Sequence, residues 1–349
     1  MTKTSAQIKP NRIFSIIQLG CCIALFYFLF WRVCMTTDWP GYEINFHHPD
    51  YWNLGFFFNN LSEWAKSLGW GYIAVFRCYV LLSFLLYLWL FRLISPRFVW
   101  LLYCITLILG YIAQVNIIRY YLAFPMFAIG YYYICCRKFF LRGVLLLLIP
   151  PFIHTGIIPL YLLPALFWWS KKNNPYIKWI SIVCTIALPS LFLSRLLPLP
   201  ATIDQILGSY IERYQDPMRF TGIIYNFSFL AFWMAILICW EKGWHNKMLE
   251  NPLFFDLYRL SLTPFFFVLL VFHSGGGAMG RFFFPFFPIW FGFLLYPLQF
   301  ENGSMLFVGK LKVWAIVFMM FIWLYVLPLI WGANELLTNR LLEIEFLPF

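Results

Sequence analysis

Arg119 lies in the apolar run VNIIRYYLAF, Arg281 opens RFFFPFFPIW, and Arg213 sits in YIERYQDP between two apolar stretches. An arginine at the centre of a membrane helix costs about 2.5–3.5 kcal/mol on insertion scales, so one that is kept there faces a cavity or an anionic partner. A planar guanidinium grips two phosphate oxygens at once. Three of them on one side of a membrane would make a site for a phosphorylated lipid. Asn116 precedes Arg119 by three positions, a spacing that puts both on one face of a helix and adds an amide hydrogen bond to a neighbouring oxygen or sugar. The competing reading of Arg119 is snorkelling to the outer headgroups.

Two further groups can handle a proton. Asp38, in TTDWPGYEINFHHPDYWN, is expected beside a Pro40-Gly41 turn, where a carboxylate accepts a proton or bonds sugar hydroxyls. Tyr42 can stack on a pyranose face or belong to an interfacial aromatic belt; Tyr214 lies in the second polar loop. His154, in PPFIHTG, can act as a base, hydrogen-bond a phosphate, or be a satisfied structural histidine. The glycines of HSGGGAMGRFFFPF lack the GK[ST] ending of a nucleotide loop, but lead into Arg281 as backbone N–H donors do into an anion site. His47, His48 and Asp50 lack a ligand pattern, and the outer-loop aspartates are dispersed, so a metal-independent reaction without a cofactor is expected.

The elements that position these groups follow from composition. Of 349 residues, 62% are hydrophobic and 11% charged, and apolar runs near or above the roughly 18 residues that span a bilayer recur along the chain. That pattern is an all-α, polytopic membrane protein. The longest polar stretches, 34–70 and 198–221, fall short of the ~50 residues of an independent domain. The chain therefore reads as one membrane domain, 1–349, with a first outer loop, a second outer loop that is a candidate lid, and a Gly-rich outer turn at 273–281. The nine cysteines form no CxxC pair, which points away from zinc and from a disulfide framework.

Hydropathy places spans at 13–33, 72–91, 98–113, 117–136, 143–169, 180–197, 223–240, 254–272, 282–298 and 313–331. The first is about 20 residues, longer than the ~7–15 of a secretory signal, so it is expected to be retained. The fifth contains Pro150, Pro151, Pro159 and Pro164 with positive clusters at both ends. Because cytoplasmic loops collect Lys and Arg, it is expected to be a hairpin of two short helices with IHTG at its tip. The result is about eleven transmembrane segments, N-terminus inside and C-terminus outside. Most lysines and arginines then fall inside and most acids outside, so the net charge of +11 is a topology signal that needs no nucleic acid. Lys66 and Arg340 outside, and Glu241, Glu250, Asp256 and Glu301 inside, are exceptions; Arg32, Arg77, Arg195 and Arg259 are unassigned. Arg119, His154, Arg213, Arg219 and Arg281 share the outer side.

Taken in order, DWPGY after the first span, NIIRYYLA followed by basic CCRKFF, IHTG, an outer-loop ERY and a late GRFFFPF resemble a bacterial repeat-unit polymerase of the Wzy type, in particular the EpsG-like branch. The resemblance implies a GT-C-like glycosyltransferase of the bacterial inner membrane with its active site on the periplasmic side. Its donor and acceptor would be undecaprenyl-diphosphate-linked glycans, its protein partner a chain-length regulator, its surroundings membrane lipids. Arg119, Arg281 and Arg213 would then bind the diphosphate, Asn116, Tyr42 and Tyr214 the substrate, and His154 or Asp38 would take the acceptor's proton. Tyr120 stands where this resemblance leads one to expect Gln. A ligase would need a large outer loop between late spans, and a transporter internal repeats; the chain shows neither.

Overall fold

The computed structural model describes residues 12–49, 54–137, 139–164, 167–168, 220–267, 284–327 and 344–347. These are helical apart from one short ribbon, and they fall into two units, 1–161 with 298–349, and 162–297.

The first unit begins with α1 (Arg12–Phe26), continued by a π turn over Tyr27–Trp31, and then β1 (Val33–Met35). The expected first outer loop is itself helical, with α2 (Trp39–His47) and α3 (Phe56–Ser67). Where Pro40 and Gly41 were expected to turn, the chain is already in α2, with Asp38 as its N-cap and Pro40 in the first turn. A proline is tolerated there because its missing N–H would have no intrahelical partner. α3 buries Phe58, Ser62 and Ala65 on one side, the four- and three-residue spacing of a helix lying against a core.

α4 (Tyr72–Ile94) has 23 residues, roughly 34 Å at 1.5 Å per residue, enough to cross the hydrocarbon. It stops because Pro96 forces the preceding Ser95 out of the helical region, to φ −145°, ψ 72°. Chain direction reverses into α5 (Val99–Asn116). Arg97, at this turn, donates to the carbonyls of Gln299 (3.2 Å) and Glu301 (2.9 Å), tying the turn to the start of α12, named below.

α6 (Ile118–Tyr132) is the centre of the unit. All its residues except Arg119 and Met126 are buried, as befits a helix apolar all round. α7 (Phe140–Leu148) meets it at a pair of glycines. A Cβ on Gly130 would stand 2.9 Å from the Gly143 carbonyl oxygen, and one on Gly143 would stand 2.8 Å from that of Gly130, the close backbone approach that small residues permit between membrane helices. α7 is followed by the four-residue α8 (Pro150–Ile153) and a 3-10 stretch, Thr155–Tyr161. The expected break in this proline-rich run is present, and its irregular backbone carries His154; the return arm runs into 165–219, largely outside the described residues.

Helices long and apolar enough to cross a membrane are Tyr72–Ile94, Pro96–Asn116 and Gly303–Val326, with shorter apolar helices at Ile16–Trp31, Phe140–Ile153, Thr155–Pro164 and Phe287–Phe300. In the second unit, α9 (Phe220–Glu250), α10 (Pro252–Leu262) and α11 (Phe287–Leu295) pack around Trp233 and Trp290, whose rings are 4.9 Å apart. The Trp290 indole N–H donates to the Ser261 carbonyl at 2.8 Å. Back in the first unit, α12 (Gly303–Phe321) starts ten residues before the expected span and exposes Met305, Phe307, Leu311 and Phe318. Such a broad apolar surface fits lipid, and the lysines at 310 and 312 that delayed the expected start sit within the helix.

Several charges that broke the expected topology have partners. Lys66 meets Glu63 at 2.9 Å, Glu241 meets the His245 ring at 2.7 Å, and Arg259 meets Asp256 at 3.3 Å with both side chains buried. A buried ion pair is sensitive to the loss of one member. Asp256→Leu alone is therefore expected to lower thermal stability more than Asp256→Leu with Arg259→Leu, with a coupling of about 1–3 kcal/mol in a double-mutant cycle. Of the unassigned arginines, Arg77 donates to the Trp31 carbonyl at 3.3 Å and lies over its ring. Arg32 donates to the Leu347 carbonyl, beside the antiparallel pair of β1 with β2 (Glu345–Phe346). Arg195 and Arg340 lie outside the described residues.

Candidate functional site

α5 ends, and α6 begins, at one non-helical residue, Ile117 (φ −99°, ψ 51°). Asn116 and Arg119 therefore do not share a face of one helix, as the spacing predicts; they stand on the end of one helix and the start of the next. The amide of Asn116 is fixed at both ends: its Nδ2 donates to the Ile112 carbonyl at 2.9 Å, and its Oδ1 accepts the Asp38 backbone N–H at 3.3 Å. Asn116 thus anchors the entry to α2, a positioning task that the sequence reading had not given it.

From that anchor, α2 carries Tyr42 across the start of α6. The Arg119 guanidinium lies over the Tyr42 ring, 5.8 Å from its centroid, and its Nη1 donates to the Leu54 carbonyl. Tyr42 in turn stacks on Tyr72 (6.3 Å, 10°) and tilts against Phe58 (5.8 Å), while Trp39 meets Tyr72 edge-on at 4.7 Å. No carboxylate among the described residues pairs with Arg119. Its Nε and the Tyr79 hydroxyl are buried without a hydrogen-bond partner among the described residues. Buried donors normally find partners, and neither the Leu54 carbonyl nor the Tyr42 ring is a counter-charge for the guanidinium.

His154 caps α8 in extended conformation (φ −154°, ψ 114°). The Gly156 N–H donates to its Nδ1 at 2.9 Å, and the Tyr120 ring stands perpendicular to the imidazole, 5.4 Å away. α8 also meets α3 through Phe152 and Phe56, 6.3 Å apart. The joint between the two halves of the site is Gly55, at φ 89°. A Cβ there would lie 3.6 Å from the Phe152 oxygen and 3.9 Å from both the Ile153 oxygen and Arg119 Nη1.

The structure thus gathers Asp38, Tyr42, Asn116, Arg119 and the loop of His154 at one end of the first unit. Arg213, Tyr214 and Arg281 lie outside the described residues. Missed from sequence were Gly55, Tyr72, Tyr79 and the role of Tyr120. Gly55 had a readable signal, a lone glycine between a polar stretch and an apolar run, where a positive φ serves the start of a helix. Tyr72, Tyr79 and Tyr120 had none, being tyrosines among the 21 of an aromatic-rich chain.

An all-α chain with several membrane-length apolar helices, and a half-buried arginine at one end of its central helix, is a polytopic helical membrane protein. It belongs to the EpsG family, whose model matches residues 17–338. No curated protein and no solved structure matches the chain.

Proposed function

We propose that this protein is a Wzy-type polymerase. It extends a surface polysaccharide by moving the growing glycan from its undecaprenyl diphosphate onto the non-reducing end of a fresh lipid-linked repeat unit. The observation that carries the reading is the convergence of an unneutralised Arg119, a wall of tyrosines and the polar groups of Asp38 and His154 at one end of the first unit.

In the reaction the acceptor hydroxyl oxygen bonds the anomeric carbon while the bond from that carbon to the diphosphate oxygen breaks. The electron pair leaves on the diphosphate, and the hydroxyl proton goes to a base, Asp38 or His154. Fixed guanidinium groups stabilise the developing charge in a site that excludes water. Arg119 is the first of them and Tyr42 faces the sugars; Arg281 and Arg213 as further diphosphate ligands, and Tyr214 as a further sugar contact, lie outside the described residues. Asn116 acts through Asp38. The fold is of the GT-C type.

Sidedness is supported by α4, whose Tyr72 end meets Tyr42 and whose Ile94 end leads to Arg97. Basic residues mark the cytoplasmic end of a span, so the site faces the periplasm from the inner membrane. The β1–β2 ribbon brings residue 346 to the same end as Asp38, in keeping with a C-terminus outside. Purified protein in lipid, given a lipid-linked repeat unit, is expected to make a ladder of polymer that a chain-length regulator then narrows. Folded wild-type protein that makes no ladder would overturn the assignment.

A further inference from the structure

The bond from Gly156 decides which way the His154 proton can point. A backbone N–H only donates, so the ring nitrogen that receives it, Nδ1, must carry a lone pair. The 2.9 Å separation and the burial of the pair make this a formed hydrogen bond rather than a passing contact. A neutral imidazole has one N–H, and the partner of one nitrogen fixes the state of the other; the proton is therefore on Nε2. Protonating Nδ1 to give the imidazolium would set two N–H groups against each other. The perpendicular Tyr120 ring and the His154 backbone N–H to the Pro150 carbonyl, 2.9 Å, hold the residue in place, so the ring does not readily turn over.

In this tautomer Nε2 has no lone pair to accept a proton. On the polymerase reading given above, we infer that His154 is a hydrogen-bond donor, through Nε2–H, to an oxygen of the departing diphosphate, and that Asp38 is the base. The step then balances: the acceptor C–O bond forms, the anomeric C–O bond to the diphosphate breaks, the electron pair leaves with the diphosphate, and the proton passes to the Asp38 carboxylate. Arg119 and the neutral imidazole meet the same developing charge, one as a cation and one as a donor. A neutral imidazole is suited to that task because it polarises an oxygen without giving up its proton.

The tautomer is read directly by nitrogen NMR of wild-type protein in nanodiscs, labelled with 15N only at histidine. The chain has five histidines, and the His154 pair is identified by its loss in His154→Gln. The expected spectrum shows a protonated Nε2 and an unprotonated Nδ1 at neutral pH. A protonated Nδ1, in either the other tautomer or the imidazolium, overturns the inference whatever the assay gives. The second arm uses the lipid-linked repeat unit. His154→Ala is expected to slow polymerisation about 100-fold or more, the usual cost of losing one such donor. His154→Gln, which places an amide N–H where Nε2–H stood, is expected to recover most of the loss. A Gln variant that melts like wild type and is as inactive as the Ala variant also overturns the donor role. Wild type that shows the expected tautomer and makes no ladder refutes the polymerase reading and the donor's target together, while the tautomer stands.

Discussion

Arg119→Ala is expected to lower the initial rate of polymer formation by about 100- to 1,000-fold, the range seen when a fixed group that stabilises transition-state charge is removed. The physical case is that nothing among the described residues offsets this charge. Its Nη1 is held by the neutral Leu54 carbonyl, its face rests on Tyr42, and its Nε has no partner among the described residues. Arg119→Lys is expected to remain close to the alanine variant. An ammonium keeps the charge, but loses the flat fork that grips two oxygens and stacks on a ring. The measurement is initial ladder formation at fixed lipid-linked substrate, alongside the melting temperature. A lysine variant with wild-type rate would mean that Arg119 supplies only general positive potential, and an alanine variant with wild-type rate would remove it from the site.

Gly130→Leu is expected to have the largest effect on folding. The position has no room, because the first atom that a Cβ would meet, at 2.9 Å, is the Gly143 carbonyl oxygen, with Leu147 carbons at 3.0 and 3.1 Å. Ordinary overpacking costs about 1–3 kcal/mol because neighbouring side chains give way; here the backbone of α7 would have to move. The displacement would also pass through α8 to His154, so surviving protein should lose activity as well as stability. Gly130→Ala should show a smaller loss of the same kind in thermal unfolding. A leucine variant that folds and melts as wild type would show that α6 and α7 do not pack through these glycines.

How much was legible in the sequence differs by type of feature. The all-α class, several apolar helices long enough to span a membrane and the break before His154 were readable, because hydropathy and proline act locally. The end of α5 was missed for a physical reason: Asn116 bonds to Ile112 within its own helix and to Asp38, 78 residues earlier in the chain, and only the long-range bond makes the helix stop intelligible. α2 and α3 were hidden because their aromatic residues resemble an interfacial belt as much as a packed layer. Asp38, Tyr42 and Arg119 stood out as candidates because their types were out of place for their surroundings. Gly55, Tyr72 and Tyr120 do their positioning through contacts made across the fold, which residue type alone does not announce.

The ribbon formed by β1 and β2 bears on how the protein is made. Arg32 and Leu347 are 315 residues apart in sequence, and translation proceeds at about 5–20 residues per second. Roughly 15–60 s therefore separate the synthesis of the two partners. During that interval α1 can be in the membrane while the strand leading to Asp38 lacks its β2 partner. The β1–β2 ribbon and the Arg32 bond beside it can therefore close only after residue 347 has emerged, long after the segment that carries Asp38.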